Sequence, residues 1–350
     1  MADKETDKPK DIQFDGVVVD VCCHPSKDVI ATGDIAGEVK LYSYSMTENN
    51  VLMEFKHHKK ACRALRFSLD GEELYTTSKD KSIQILDLNT GTLKRKIKKA
   101  HSCPVYSMLV WDLRTATAVM ELKNNEEFIS DMEIDDQKKI LIATSGDGTF
   151  TAFNIRRKRM DLQSELFDSE LLSLATVKGK QKVVCGSGEG VLNIFNWGEW
   201  GNISDRFPGH PMSVDCMIAI TDDIICTGSS DGIVRFLGVI GEHDDDFPVE
   251  NLSLSHDRKW LASCSHDCSV KFWNVENIKK EKVNTKKKAK KTNTPKYLNK
   301  SSKNDFFAGL DDSAASSAAQ NNESDDDEDD GDEDDDDDED DDDDTKFIYV

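Results

Sequence analysis

The stretch SCSHDCSVKFWN at residues 263–274 contains the pattern that decides the fold. A strand of small residues runs into an acidic turn at Asp267, and a second, alternating strand ends at the aromatic Trp273. Alternation on both sides of a tight turn predicts an antiparallel hairpin. The pattern recurs in five further segments: TGDIAGEVKLYS (32–43), TSKDKSIQILDL (77–88), TSGDGTFTAFNI (144–155), GSGEGVLNIFNW (186–197) and GSSDGIVRFLGV (228–239).

The spacing of the turns gives the size of the repeating unit. Successive turns lie 44, 67, 42, 42 and 36 residues apart, counted on Ala36, Asp80, Asp147, Glu189, Asp231 and Asp267. The 67-residue interval holds a further unit, which ends in VWDLR (110–114) and is about 17 residues short. Seven units of about 40 residues with a terminal Trp-Asp resemble WD repeats. The resemblance implies an all-β, seven-bladed β-propeller.

The WD-repeat resemblance also implies a hydrogen-bonded network in each blade. In that family a His near the start of a unit bonds to the turn Asp through a strand Ser or Thr, which satisfies polar groups buried between blades. Ser78 with Asp80 and Ser265 with Asp267 match this arrangement, and His243 opens a further unit. We assign the network to His58, Ser78, Asp80, His101, Asp147, His210, Asp231, Ser265 and Asp267.

Two units depart from the common length. Unit three (100–115) passes directly from its inner strand to the Trp-Asp strand, so we expect a truncated blade three. Unit six ends in RFLGVIGEH (235–243) with its outer strand nearly lost, so we expect a shortened blade six. Deletion from a seven-unit plan, by a variant transcript or a gene-model error, and a degenerate functional blade both explain these lengths. The segment DIQF (11–14) is expected to complete the last blade and close the ring.

The sequence predicts no enzyme, cofactor, metal site or small-molecule substrate. His, Ser and Asp recur in several units, whereas a catalytic triad occurs once in a protein. The run GSGEG (186–190) lacks the Lys-Ser/Thr and the helix of a phosphate-binding loop. Cys264, His266 and Cys268 alternate along one strand without a distant ligand pair, which is weak support for zinc. No stretch reaches the roughly 18 apolar residues of a membrane span, and the polar start does not resemble a secretory signal.

Two basic clusters are predicted on the outer rim, KRKIKK (94–99) and RRKR (156–159). They are either solvated charges that protect strand edges or contacts to RNA phosphate. No aromatic residues accompany them, so sequence-specific RNA reading is not predicted.

The tetrapeptide WDLR suggests a different partner. Trp111, Asp112 and Arg114 match the Trp-Asp-x-Arg ending through which some WD-repeat proteins dock onto the adaptor of cullin-RING ubiquitin ligases. Such an Arg also occurs by chance, and unit three is incomplete. A ligase substrate receptor is therefore the alternative function.

The composition divides the chain into a short polar start (1–10), a propeller (11–278), a basic linker (279–300), a short motif (301–312) and an acidic tail (313–350). Like-charge blocks do not bury a core, so the tail is expected to be disordered. Ser324, followed by aspartates, is a candidate phosphorylation site. The candidate nuclear import signal is Lys286, Lys287, Lys288, Lys290 and Lys291.

The motif SKNDFFAGLDD (302–312) is unusual in a polar tail, because Phe306, Phe307 and Leu310 form a candidate docking segment. This motif and the stretches SGDGTFTAFNIRRKRMDLQSE (145–165), VVCGSGEGVLNIFNWGEWGNISDRF (183–207) and CTGSSDGIVR (226–235) resemble the WD repeat-containing protein 55 family. The resemblance implies a nucleolar scaffold without catalysis, acting in ribosomal RNA production or processing. It implies protein partners such as pre-ribosomal factors, and a location in the nucleus and nucleolus, with the cytoplasm as a further location.

Overall fold

The computed structural model describes residues 8–100, 108–113, 115, 117–122, 125–137, 139–236, 238–244, 247–278 and 347–349. Within these residues, 27 strands form seven antiparallel sheets, six with four strands and one with three. Five of the four-stranded sheets consist of consecutive strands paired in order. This is the blade organisation of a β-propeller.

The blades are numbered by the repeat units that form them. Blade one contains β2 (Val18–Cys23), β3 (Val29–Asp34), β4 (Val39–Ser43) and β5 (Asn50–Phe55). Blade two contains β6 (Cys62–Phe67), β7 (Glu73–Ser78), β8 (Ile83–Asp87) and β9 (Thr92–Ile97). Blade four contains β12 (Ile129–Ile134), β13 (Ile140–Ser145), β14 (Phe150–Asn154) and β15 (Arg159–Gln163).

The last three blades follow the same order. Blade five contains β16 (Leu171–Val177), β17 (Lys182–Ser187), β18 (Val191–Asn196) and β19 (Ile203–Pro208). Blade six contains β20 (Val214–Thr221), β21 (Ile224–Ser229), β22 (Ile233–Phe236) and β23 (Gly238–Glu242). Blade seven contains β24 (Val249–Leu254), β25 (Trp260–Ser265) and β26 (Ser269–Asn274), together with β1 (Ile12–Gln13).

The predicted closure of the ring is confirmed. β1 pairs antiparallel with β26, with Ile12 opposite Val270 and Gln13 opposite Ser269. The last blade therefore takes its fourth strand from the beginning of the chain, which removes a free edge.

The prediction of seven blades is wrong, because the structure has six complete blades. Unit three supplies only β10 (Met108–Asp112) and β11 (Thr117–Leu122). These two strands form a sheet with β27 (Phe347–Tyr349) from the far C-terminal end, in the order β11-β10-β27. The physical reason is the missing length, because about 17 residues correspond to the absent hairpin. We call this sheet three.

The prediction that the outer strand of blade six is nearly lost is also wrong. β23 pairs with β22 from Ile233 opposite Glu242 to Phe236 opposite Gly238. A single residue, 237, separates the two strands, so the short unit retains its outer strand. The shortening falls on β22 instead, which has four residues and only two register pairs with β21.

The hydrophobic core lies between neighbouring blades. Phe150 of blade four stacks on Phe195 of blade five, with 4.8 Å between the ring centroids, and both are fully buried. Neighbouring blades approach each other closely because the second strands of blades five and six contain a glycine where the next blade packs against them. A Cβ on Gly186 would lie 2.8 Å from the Val214 side chain, and one on Gly228 would lie 2.7 Å from Val249.

Candidate protein interaction surface

Blade seven contains the most complete buried polar network. His243 Nδ1 lies 2.7 Å from Asp267 Oδ2, His243 Nε2 lies 2.7 Å from Ser263 Oγ, and Trp273 Nε1 donates to the same hydroxyl at 2.8 Å. Because an ionised carboxylate only accepts, Nδ1 donates to Asp267. Nε2 of the neutral ring then accepts from Ser263. Burial lowers the pKa of His243, which favours this neutral form.

The network contains the residue types of a catalytic triad, but its hydroxyl is not accessible to a substrate. Ser263 is fully buried, and its hydroxyl oxygen already accepts from Trp273. A substrate cannot reach it, so these groups hold the third strand, the turn and the loop before β24 together. Burial opposes ionisation of Asp267, but hydrogen bonds from Ser269 and His243 hold its pKa below the ordinary value.

Blades two and six show variants of this network. In blade two, His58 Nε2 lies 2.8 Å from Thr76 Oγ1, and Nδ1 lies 3.4 Å from Asp80 Oδ2. In blade six, His210 Nε2 lies 2.8 Å from Thr227 Oγ1. Asp231 does not reach that imidazole, because both of its carboxylate oxygens accept from the guanidinium of Arg235. Burial lowers the pKa values of both His58 and His210.

The assignment of the strand hydroxyl to Ser78 and Ser265 needs correction. Ser78 Oγ donates to the Lys60 carbonyl at 2.9 Å, and Ser265 Oγ donates to the Phe247 carbonyl at 3.1 Å. Both are the last residues of their strands, beside loop carbonyls that need donors. The hydroxyl that reaches the imidazole belongs to the residue two positions earlier.

Blade four has Asn125 in place of the histidine, a residue that the sequence interpretation missed. Asn125, His58 and His210 each stand four residues before an innermost strand, which is the signal that could have identified it. The Asn125 amide donates to Thr149 Oγ1 at 3.0 Å, and Asp147 accepts from Thr149 and from the Glu126 amide. His101 lies outside the described residues.

The turn aspartates fix the loops at one end of the propeller, which we call the upper face because the innermost strands begin there. Asp80, Asp147 and Asp267 each accept from the backbone amide of the loop before their blade, at 3.0, 2.8 and 3.2 Å. The loops are therefore held rigidly against the blades, and side chains on them have defined positions.

Exposed apolar side chains recur on the upper face. Each comes from a turn or loop at this end, and their exposed fractions run from 42% to 73%: Ile35, Phe128, Leu166, Met212 and Phe247. The described residues of the upper-face loops of blades four to seven include ten Asp or Glu and no Lys or Arg. An apolar and acidic surface of this kind is suited to a basic partner with apolar side chains.

The two basic rim clusters differ in their contacts. In the first, Lys94 pairs with Glu73, Arg95 donates to the Leu113 carbonyl, and Lys96 donates to the His57 carbonyl at 3.3 Å. These cations are largely engaged by the propeller itself. In the second, residues 156–159 are all exposed at the turn between β14 and β15, and within the described part of the chain they form no ion pair.

Of the other predicted interaction residues, only Trp111 and Asp112 lie among the described residues. Trp111 is 8% exposed and packs with Ile83, Ile97 and Leu109, so it does not itself present a docking surface. Asp112 ends β10. Outside the described residues lie Arg114, Phe306, Phe307, Leu310, Lys286, Lys287, Lys288, Lys290, Lys291 and Ser324.

Two carboxylates lie at equivalent bulges of innermost strands. Asp20 accepts from the Leu65 amide at 2.5 Å and from Asn251, and Asp131 accepts from the Leu174 amide at 3.0 Å. Each therefore ties its blade to the next. Burial raises the pKa of Asp131 to about 6, against the lowering effect of its backbone donors, and burial also raises the pKa of Asp20.

The pKa of Asp131 is about 6 in the folded chain, against roughly 3.9 for an unfolded aspartate. Between about pH 4 and pH 6 the folded state therefore binds more protons than the unfolded state. Lowering the pH should therefore favour folding at this site. We expect the free energy of unfolding of the wild type, relative to Asp131→Asn, to rise by about 1 kcal/mol between pH 7.5 and pH 5. Urea titrations of both proteins at several pH values measure this difference.

The exposed carboxylate Asp168 provides the control, since Asp168→Asn should follow the wild type at every pH. A difference between the wild type and Asp131→Asn that stays flat with pH would contradict the raised pKa.

Within the described ranges, no group of three or more His, Cys, Asp or Glu side chains is arranged to hold a metal ion. No helix of the described part is long and apolar enough to cross a membrane.

The blades, the closure and the buried His, hydroxyl and Asp networks define a WD-repeat β-propeller protein. Residues 9–278 match the model of the WDR55 family, and the chain belongs to that family. This confirms the resemblance seen in the sequence.

Relatives of the chain occur in mammals and in Dictyostelium discoideum. The human WD repeat-containing protein 55 is 39% identical over 334 residues, which covers 87% of each chain. The mouse protein of that name is 40% identical over 300 residues, covering 78% of this chain and 77% of its own. A homolog from Dictyostelium discoideum is 37% identical over 297 residues, covering 78% of this chain and 72% of its own.

Proposed function

We propose that this chain is a non-catalytic nucleolar scaffold that acts in ribosomal RNA production or processing and in ribosome biogenesis. The observation that carries the proposal is the upper face, where exposed apolar side chains lie beside the acidic loops of blades four to seven. Membership of a WD-repeat family supports a role in protein–protein interaction.

The charge of the upper face favours one class of partner. Proteins that bind ribosomal RNA are rich in Lys and Arg, because neutralising phosphates drives their binding. Such segments complement the carboxylates of the upper face, while their apolar residues can be buried against Leu166 and Met212. RNA itself is repelled there, so any RNA contact belongs to the exposed turn at residues 156–159.

The tail supports the nuclear location that the proposal requires. Lys286, Lys287, Lys288, Lys290 and Lys291 form the densest lysine block of the sequence and would serve as the import signal. The acidic run at 325–344 would add a second attraction for basic proteins.

The triple variant Leu166→Ser, Met212→Ser and Glu170→Lys removes two apolar anchors and reverses one charge on the upper face. We expect recovery of basic pre-ribosomal proteins with the tagged chain to fall at least tenfold, because both burial and attraction are reduced. Affinity purification with mass spectrometry and RNA sequencing measures recovery, and fluorescence imaging of the same tagged chains gives their location.

A matched control makes the same changes on the opposite, lower face: Leu69→Ser, Met46→Ser and Glu72→Lys. Leu69 is 93% exposed and Met46 is 44% exposed, so this variant should fold and recover partners like the wild type. Equal recovery from both variants would overturn the assignment to the upper face. A wild-type chain outside the nucleolus and without pre-ribosomal partners would overturn the proposed function.

A further inference from the structure

Among its described residues, unit three supplies no counterpart of the two inner strands of a complete blade. Adjacent innermost strands pack side by side from β12 through β16, β20 and β24 to β2 and β6. No comparable packing joins β6 to β12 in the described part of the chain. β12 is partly exposed along its whole length, and the Arg66 side chain on β6 is 63% exposed. Among the described residues there is therefore a slot between blades two and four that holds no innermost strand.

β10 lies in this slot at the position of the third strand of a complete blade. It contacts the third and fourth strands of blade two on one side, and the second and third strands of blade four on the other. The buried residues in these two contacts are Leu109 and Trp111 with Ile83 and Ile97, and Val110 with Leu141, Ala143 and Phe153. β10 is thus held in place by both neighbours, although the described residues of unit three supply no second strand.

In every complete blade the third strand pairs with the fourth strand on one edge and with the second strand on the other. In β10 this second edge faces the centre of the ring. Without a strand there, backbone N–H and C=O groups would be left unpaired beside a buried apolar surface, which is a template for strand addition. In this chain β27 takes that position. Tyr349 lies opposite Val110, Ile348 opposite Trp111, and Phe347 opposite Asp112, in the antiparallel direction that β3 has against β4.

We propose that sheet three is a strand-acceptor site and that residues 347–349 of the same chain are its occupant. Phe, Ile and Tyr in succession are strand-favouring residues. The 68 residues between Ile278 and Phe347 greatly exceed the length needed to return to sheet three. The C-terminal end is therefore joined to the propeller, and it excludes other extended peptides from the slot.

Hydrogen exchange of the full chain tests this occupancy. Ile348→Pro removes a backbone donor from the middle of β27 and disfavours pairing. We expect those amides of residues 110–112 that face β27 to exchange at least tenfold faster in this variant than in the wild type, while Ile348→Val keeps wild-type protection. The synthetic peptide TKFIYV (345–350), added to the Ile348→Pro chain at millimolar concentration, should restore protection.

Three results would overturn the proposal. The first is equal protection of these amides in the wild type, in Ile348→Pro and in a chain ending at residue 344, which serves as the second disrupting variant. The second is failure of the peptide to restore protection. The third is protection that depends on protein concentration together with a dimer in size-exclusion chromatography, since a second copy would then supply the strand.

Discussion

Replacing His58 by alanine should lower the free energy of unfolding by about 3 kcal/mol, because Asp80 and Thr76 would lose a buried partner and a cavity would remain. The imidazole is 1% exposed and lies within 3.1 Å of the Gln84 side-chain amide as well. Reversible urea unfolding followed by tryptophan fluorescence measures the loss.

The preceding residue is a matched control for this prediction. His57 is exposed, and its hydrogen bonds to neighbours are made by its carbonyl, which alanine retains; only the contact of its ring with Phe55, at 5.8 Å between centroids, would be lost. His57→Ala should therefore change the free energy of unfolding by less than about 0.5 kcal/mol. If the two variants lost equal stability, the network around His58 would not be a determinant of the fold.

Replacing Gly228 by alanine should cause the second large loss, about 2 kcal/mol. The added Cβ would lie 2.6 Å from Cys216 Sγ and 2.7 Å from Val249 Cγ1. Val249 is fully buried on the innermost strand of the next blade. Because it is β-branched and packed, it cannot rotate away easily. The same urea titration gives the magnitude.

Gly209 serves as the control, since a Cβ there meets no atom within 4 Å. We expect Gly209→Ala to be neutral or slightly stabilising, because it reduces the freedom of the unfolded chain. A Gly228→Ala chain as stable as the wild type would mean that adjacent blades can move apart without loss.

Much of the propeller could be predicted because each blade repeats the same physical problem. A turn buried between blades needs an acceptor for loop amides, so Asp recurs at the turn of most units and is visible in the sequence. Thr76 and Ser263 were not identified, because small hydroxyl residues also fill neighbouring positions of these strands. Asn125 was missed because it replaces the histidine that served as the marker.

The exceptions to the repeat were harder to predict. The outer strand of blade six survives because residue 237 alone connects it to β22, a geometry that residue spacing does not reveal. β27 has three residues and lies more than two hundred positions from its partner in sequence. A segment this short shows no periodicity that could be recognised.

The pairing of β1 with β26 has a consequence during synthesis. Ile12 is added to the chain 258 residues before its partner Val270, and at ordinary elongation rates this interval is on the order of 10 to 50 seconds. During that time the other blades can form in order, but the nascent chain cannot close. The first strand therefore has no partner on β26 until the last blade has been translated, and it needs protection from aggregation during that interval.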